Sequence, residues 1–433
     1  MKVLLIAGLS DSSVRKHLRF SKDRKLYRQM IRWFRLPARV GEFSDTVPWV
    51  KGIIENLRKR DGIELHVMGP HIRLKEPMEE FELQGVTYHY FRSEWSSLMR
   101  KTNKYSIWKH IQRSTYYSKK IIDKVSPDIV VLSGAENPTT SISILSATGY
   151  PSICLCQTIY NNPLRQEYGT PNKLIQEVEM DILQKLQYIG VYCKMHYDLL
   201  KNINPNAYVF KFGYPSSGKI LEPVETEKQY DFVNFAQMHG SRKGTPDSIQ
   251  ALAIVKKTFP KVTLNIVGGC DEDDLIRLKE LVKNFSLEEN VIFTPFFEKR
   301  SDLLLHVQKS RFAVLPCKLD HTSGTMTQSM QLGLPLVVYK TTGTPSFNRK
   351  KECALIAEKG NVEELAQHML TLMENPEKAE MLRKNAREFQ EKLIEYKRGN
   401  GDRLLASFIA IIDNYHNGIP IPQEQLFNPE TDD

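Results

Sequence analysis

Short apolar runs alternate along the chain with segments whose apolar residues recur every three or four positions. The first pattern predicts buried strands and the second amphipathic helices. In the first half the strand runs are Lys2–Gly8, Glu64–Gly69, Val86–Phe91, Ile129–Ser133, Ser152–Gln157, Tyr188–Tyr192 and Ala207–Phe212. Helices are predicted over Trp49–Arg60, Tyr105–Lys124 and Pro171–Gln187. Gly213–Lys228, with two prolines, two glycines and mixed charges, reads as a linker. A second series follows: strands at Asp231–Gln237, Lys261–Val267, Val291–Thr294, Phe312–Pro316 and Pro335–Tyr339, with helices at Pro246–Thr258, Asp274–Phe285, Thr325–Leu332 and Val362–Glu374. From Pro376 to Tyr415 the pattern is helical, ending at Gly418. Strands without internal alternation, joined by helices, predict parallel sheets covered on both faces.

Two such series make two sequential α/β domains. The length of 433 residues agrees with that division, and 41% hydrophobic residues supply two cores. No apolar run reaches the ~20 residues of a membrane-spanning helix, and "MKVLLIAGLSDSS" turns polar too soon for a secretion signal. The six cysteines are scattered without zinc spacing. Cys154 and Cys156 share one face of an apolar strand and read as buried reduced thiols. A cytoplasmic protein is expected.

Charge changes the picture locally. The net charge is +9, yet between Arg15 and Arg39 ten Lys or Arg stand against one acid, Asp23. Within that stretch Leu26, Met30 and Trp33, and Tyr27, Ile31 and Phe34, follow helical spacing, flanked by Arg24, Arg28, Arg32 and Arg35. This predicts a helix lying on an anionic membrane surface. A second basic and aromatic stretch runs from Trp95 to Lys124. A basic run alone is weak support for nucleic acid, and no nucleic-acid partner is expected.

The candidate chemistry lies after the strands of the second series. "YDFVNFAQ" is followed by "MHGSRKGTPDS", which carries Arg242 and Lys243; "VTLNIVGG" ends in Gly268 and Gly269; "NVIFT" leads to "PFFEK" with Phe296; "RFAVLP" leads to "LDHTSGTMTQSMQLGLPLVVY". A helix opening near Thr322, Ser323, Gly324 and Thr325 turns unpaired N–H groups and its positive dipole end outward, a ready phosphate site. Lys243 adds a cation from the neighbouring loop. The bland alternative, an ordinary Ser/Thr cap, is outweighed by the glycines and the lysine on one inferred rim.

These motifs in this order resemble the nucleotide-sugar-binding half of GT-B glycosyltransferases, in particular the retaining group called family 4 (group 1). The runs that carry the resemblance are "QMHGSRKG", "IVGGC", "NVIFTP" and "DHTSGTMTQSMQLGLPLVV". The resemblance implies two Rossmann-like, doubly wound parallel-sheet domains facing across a cleft. Residues 1–222 would bind the acceptor, with a helix at about 400–417 crossing back to them; residues 223–399 would bind the donor; residues 418–433 would form a tail.

It also implies roles. The Glu-x7-Glu pair of the family falls on Asp320 and Gln328: Gln328 would hold the ribose, and Asp320 would lie near the transferred sugar. Lys243, with Asp320, is the catalytic candidate, and Arg242 stands where a glutamate is usual. The diphosphate-binding arginine falls on Gln237 or Met238, and a first-domain histidine falls on Gln157. Gly8, Ser10, Glu136, Asn137 and Gln157 follow first-half strands and would face the acceptor. The implied reaction is sugar transfer from a nucleotide-diphosphate sugar to a glycan or lipid-linked acceptor, with retention and without metal or other cofactor. Surface polysaccharide or glycolipid synthesis on the inner face of the membrane is the expected setting. The absent arginine and histidine raise one alternative, a catalytically inactive nucleotide-sugar-binding partner subunit.

Overall fold

The computed structural model describes residues 1–9, 12–20, 48–71, 73–93, 104–164, 172–213, 221–297, 299–319 and 322–431; at 12, 48–49, 104–110 and 237–238 it describes the backbone alone. The chain divides into two compact units. Unit 1 comprises residues 1–163, 170–217 and 397–433; unit 2 comprises 164–169 and 218–396.

Among the described residues unit 1 is built on eight strands: β1 (Lys2–Ile6), β2 (Glu64–Pro70), β3 (Met78–Leu83), β4 (Val86–Phe91), β5 (Ile129–Ser133), β6 (Ser152–Leu155), β7 (Tyr188–Val191) and β8 (Tyr208–Lys211). Their spatial order is β3-β4-β2-β1-β5-β6-β7-β8. Only β3 runs antiparallel to its neighbour. Side chains along β1 alternate between two cores. Val3 and Leu5 join Leu404, Phe408 and Ile411, whereas Leu4 and Ile6 join Ile121, Ile122 and Leu183. Helices therefore cover both faces, which is why β1 is apolar without a break from Val3 to Ile6.

Unit 2 repeats the plan, with six strands among the described residues: β9 (Tyr230–Met238), β10 (Leu264–Gly269), β11 (Val291–Thr294), β12 (Ser310–Leu315), β13 (Leu336–Tyr339) and β14 (Leu355–Ala357). The order β11-β10-β9-β12-β13-β14 is that of a doubly wound nucleotide-binding sheet. Phe232 and Val233 on β9 again face opposite cores.

Several expectations shift. The strand expected at Lys261–Val267 runs from Leu264 to Gly269, because Pro260–Val262 still close the preceding turn: Val262 N–H donates to Phe259 C=O at 3.0 Å. The antiparallel β3, the short β14 and the helices Lys194–Ile203 and Arg300–Val307 are additions to the sequence reading. The described part of the supposed linker is tied down: Val224 N–H donates to Gln308 Oε1 at 2.6 Å, and Lys228 Nζ donates to Gln308 C=O at 2.6 Å. The last helical stretch is two helices, Pro376–Arg398 and Asn400–Asn417, broken at Gly399. The second packs so closely on Pro48–Leu57 that a side chain at Gly401 would meet Asn56 Oδ1 at 1.9 Å. Residues 418–431 continue against unit 1. Phe427 N–H donates to Val209 C=O at 2.8 Å, and its ring is buried.

Candidate functional site

In an open parallel sheet, ligands sit beyond the carboxyl ends of the strands where the strand order reverses. In unit 2 that point lies between β9 and β12. The loops leaving these two strands are the ones that carry Lys243 and the hydroxyl-rich stretch.

The β9 loop turns sharply. Gly240 has φ 151°, residues Ser241–Lys243 form a single 3-10 turn, and Gly244 has φ 68°. Gly244 also passes so near β12's end that a Cβ would lie 2.0 Å from Pro316 O, so only glycine fits. The two loops are then stitched together. Lys318 N–H donates to Arg242 C=O at 3.0 Å, and Lys243 Nζ lies 3.9 Å from Cys317 Sγ. Lys318 Nζ pairs with the buried Asp247 at 2.8 Å, and Asp247 also accepts from Tyr339 O–H at 2.8 Å. Burial, then the Asp247 hydrogen bond, push the Tyr339 phenol upward, so it stays a donor.

His239 anchors the other side of the loop. It is buried, with Nε2 2.9 Å from Val267 O and Nδ1 2.9 Å from Thr245 Oγ1. A carbonyl can only accept, so Nε2 carries the proton and Nδ1 accepts from the threonine hydroxyl. Burial lowers its pKa and keeps the ring neutral. His239 N–H also donates to Gly269 C=O at 2.8 Å, joining the β9 and β10 loops. Gly268 has φ 136°, and a Cβ there would lie 1.8 Å from Ala236 O.

Beyond β12 the helix runs from Gly324 to Gln331, capped by Ser323, whose Oγ accepts from Met326 N–H at 3.4 Å and lies 2.9 Å from Thr325 Oγ1. Gly324 is exposed; Thr322 and Thr325 are half-buried. Among the described residues the Gly324 and Thr325 amides have no hydrogen-bond acceptor, so two donors at the positive helix end stay open. Gln328 is half-buried one turn in, and its side-chain amide makes no hydrogen bond among the described residues. Lys243 is half-buried and Arg242 exposed. Phe296, just past β11, is 56% exposed, while Phe297 packs on His306 at 5.1 Å between ring centroids. Asp320 lies outside the described residues.

In unit 1 the order reverses between β1 and β5. Gly8 follows β1; Glu136 and Asn137 follow β5; Gln157 follows β6; Ser10 lies outside the described residues. Asn137 is the N-cap of Pro138–Ser141, its Oδ1 accepting from Thr139 N–H at 3.2 Å. Buried Glu179 organises the loop after β6. Its oxygens accept from Tyr160 N–H at 2.8 Å and Asn161 N–H at 2.7 Å. Sequence reasoning missed Glu179, His239, Asp247 and Lys318. For His239 a signal existed, since it sits inside the quoted "QMHGSRKG"; the others act through contacts distant in sequence.

The family described as Glycosyl transferases group 1 matches residues 219–389. These residues are a group 1 glycosyl transferase domain. An uncharacterized glycosyltransferase of Haemophilus influenzae is 28% identical over 138 residues, 32% of this chain and 38% of that protein, so the match spans well under half of the relative. The sucrose-phosphate synthase of Thermosynechococcus elongatus superposes with a TM-score of 0.69 at 15% identity, covering 95% of this chain and 99% of the other. The Anabaena HepE protein, solved in complex with UDP and glucose, superposes with a TM-score of 0.61 at 13% identity, covering 94% and 100%. The fold is that of GT-B glycosyltransferases. The matched group 1 domain includes all of β9–β14, so Lys243, Gly268, Ser323 and Gln328 all belong to it.

Proposed function

We propose that the chain moves a sugar from a nucleotide-diphosphate sugar to an acceptor in surface polysaccharide or glycolipid synthesis, with retention. The observation that carries this reading is that Lys243 and the open end of helix Gly324–Gln331 stand on the two loops that leave β9 and β12, where the strand order of unit 2 reverses. A departing nucleotide diphosphate gains negative charge as the sugar bond breaks. Lys243 and the Gly324 and Thr325 amides supply fixed donors for that charge, with no reorganisation needed at the moment of reaction. Gln328 holds the ribose through its amide oxygen, Gly268 and Gly269 admit the ligand close to the backbone, and Phe296 covers the base. The family resemblance assigns Asp320, outside the described residues, to the transferred sugar. The HepE complex supports a uridine nucleotide as the first donor to try.

Retention and independence from metal follow the family resemblance. The acceptor side comprises Gly8, Ser10, Glu136, Asn137 and Gln157. The basic stretch with Arg24, Arg28, Arg32 and Arg35, which lies outside the described residues, would hold the enzyme on the inner face of an anionic membrane. Among the described residues no helix is long and apolar enough to cross one. A thermal-shift screen of nucleoside diphosphates and nucleotide sugars tests the donor reading. A rise in melting temperature with one base, and release of sugar from that donor, is the expected result; no shift with any nucleotide refutes it.

A further inference from the structure

A polar residue interrupts the apolar run of β10 once, at Asn265, and that residue is fully buried. Leu264 and Ile266 beside it face one core. Asn265 points to the opposite face, toward His306 of the helix Arg300–Val307. Its side-chain amide is bonded at both ends. Nδ2 lies 2.8 Å from His306 Nε2, and Oδ1 accepts from Thr294 Oγ1 at 2.8 Å. An amide nitrogen can only donate, so His306 Nε2 accepts and the neutral ring carries its proton on Nδ1. Burial, then Lys309, lower the pKa of His306 and keep it in that form.

The chain His306–Asn265–Thr294 thus runs from a helix, across β10, to the last residue of β11. Thr294 pairs in register with Val267, so the loop leaving β11 starts beside Gly268. That loop opens Pro295-Phe296-Phe297. The Phe297 ring packs on the same imidazole, 5.1 Å between centroids, and Tyr230 of β9 lies 6.0 Å from it. His306 therefore reaches the loop on both sides of the exposed Phe296: through Asn265 to Thr294 before it, and directly to Phe297 after it.

An aliphatic residue at 265 would leave no polar atom to satisfy. A buried amide is costly unless each partner is in place, and a satisfied buried network rigidifies one arrangement of its ends. Here one end is the root of the loop that presents Phe296. We propose that His306 is a positioning residue of the donor site: through Asn265 and Thr294 it fixes the loop after β11, and with it the aromatic ring that meets the base of the nucleotide. The inference rests on the reading of unit 2 as the nucleotide-binding side, with Phe296 over the base.

The test uses the full chain and calorimetry with UDP, GDP, ADP, CDP and dTDP, the tightest binder serving for every variant. Thr294→Val keeps the volume and removes the hydroxyl. His306→Phe keeps a ring against Phe297 and removes the acceptor. His306→Gln places an amide oxygen where Nε2 stood. Thr294→Val and His306→Phe should each weaken nucleotide binding about fivefold, and the double variant should bind no more weakly than the worse single variant. His306→Gln should stay within about twofold of the wild type. Should His306→Phe fail to fold, Thr294→Val at its half-buried position decides alone. Wild-type affinity in folded Thr294→Val overturns the inference. So does an equal loss in His306→Gln and His306→Phe, or a double variant whose losses multiply. In each of those cases the wild type still binds nucleotide, and the donor reading stands. No binding of any of the five by the wild type refutes the donor reading itself, and leaves no base for His306 to position.

Discussion

The two sheets end in rims built on opposite principles. In unit 2 the loops at the switch point are locked by internal bonds: His239 to Val267 and Thr245, Lys318 to Asp247, Lys318 N–H to Arg242 C=O. Cations there are mostly answered, and what is left open is a set of backbone donors. In unit 1 the loops after β1 and β2 are joined by backbone bonds, Lys75 N–H to Arg19 C=O and the Phe20–Leu74 bridge, and they carry long side chains such as the exposed Lys16 and Lys75. A donor with one invariant diphosphate suits the first design, since fixed dipoles need no reorganisation. A bulky or variable acceptor suits the second, since long side chains adapt to it. One detail is shared. In each unit a glycine near the end of the strand beside the first one faces that strand's carbonyl: a Cβ at Gly69 would lie 2.2 Å from Ala7 O, and one at Gly268 would lie 1.8 Å from Ala236 O.

That shared detail gives the largest expected effect. Gly268→Ala adds a steric clash to a backbone at φ 136° that an L side chain rarely adopts. It should destabilise unit 2 by about 4 kcal/mol or more, among the largest single-site losses. Gly69→Ala carries the clash without the positive φ and should lose less. Gly62→Ala, at φ 76° with open space, should lose only about 1 kcal/mol. Denaturant melts of the three variants give the ranking. If Gly268→Ala melts like Gly62→Ala, the close approach of β9 and β10 is wrong.

Next comes the cation of the unit 2 rim. Lys243→Ala should lower kcat/KM for transfer by about 10²–10³-fold, or about 3–4 kcal/mol, with little change in stability. Initial rates at saturating donor read the effect on turnover. A Lys243 variant with wild-type turnover would place the leaving-group charge elsewhere.

Both units hold a buried histidine that resists protonation, His239 in unit 2 and His89 in unit 1. Across β2, β4 and β3, His66 Nδ1 meets His89 Nε2 at 3.0 Å, and His89 Nδ1 meets Glu80 at 3.0 Å; Glu80 in turn binds Lys124, and Glu64 binds His66. Burial lowers His89 from 6.5 to about 4, against the pull of Glu80. The folded state therefore resists protonation that the unfolded chain accepts. Stability from this group is complete above pH 6.5 and is lost as pH falls toward 4, by about 3 kcal/mol in all. His89→Gln should flatten that part of the pH–stability curve for unit 1. An unchanged slope in chemical denaturation between those limits would assign the acid sensitivity elsewhere.

The parts legible in the sequence are those set by local pattern. Buried parallel strands announce themselves as unbroken apolar runs, so β1, β5, β9 and β12 were readable. The strand β3, "MEEFEL", is an acid-rich antiparallel edge, and β14 is three residues long; neither carries enough apolar signal. The break at Gly399 was hidden because helical periodicity runs on through both helices. At the site, Lys243, Ser323 and Gln328 were legible as members of spaced motifs. The bond from Lys318 to Asp247 was not, because it joins residues 71 positions apart. Nor was the pairing of 12–20 with 71–75, which only the tertiary fold brings about.

The smallest expected effect concerns Gln328, and it asks whether unit 2 holds any side chain in reserve for the ligand. Its neighbours on the helix are committed: Ser323 caps, and Ser329 Oγ donates to Thr325 C=O at 2.9 Å. Gln328 alone of these three has no side-chain bond among the described residues, although it is half-buried. A half-buried amide left unbonded by the protein is one that a bound ribose can satisfy. Gln328→Leu removes that acceptor and should weaken nucleotide binding by about 1 kcal/mol, or about fivefold. Gln328→Glu keeps an acceptor on the same arm and strengthens it toward a hydroxyl, so affinity should hold or rise. Calorimetry with the nucleoside diphosphate that scores in the thermal screen reads both. Equal affinity for the leucine variant and the wild type would mean that Gln328 only fills the helix surface. The ligand contacts of unit 2 would then be confined to Lys243 and the backbone donors, and the contrast between a rim of fixed dipoles and a rim of adaptable side chains would be complete.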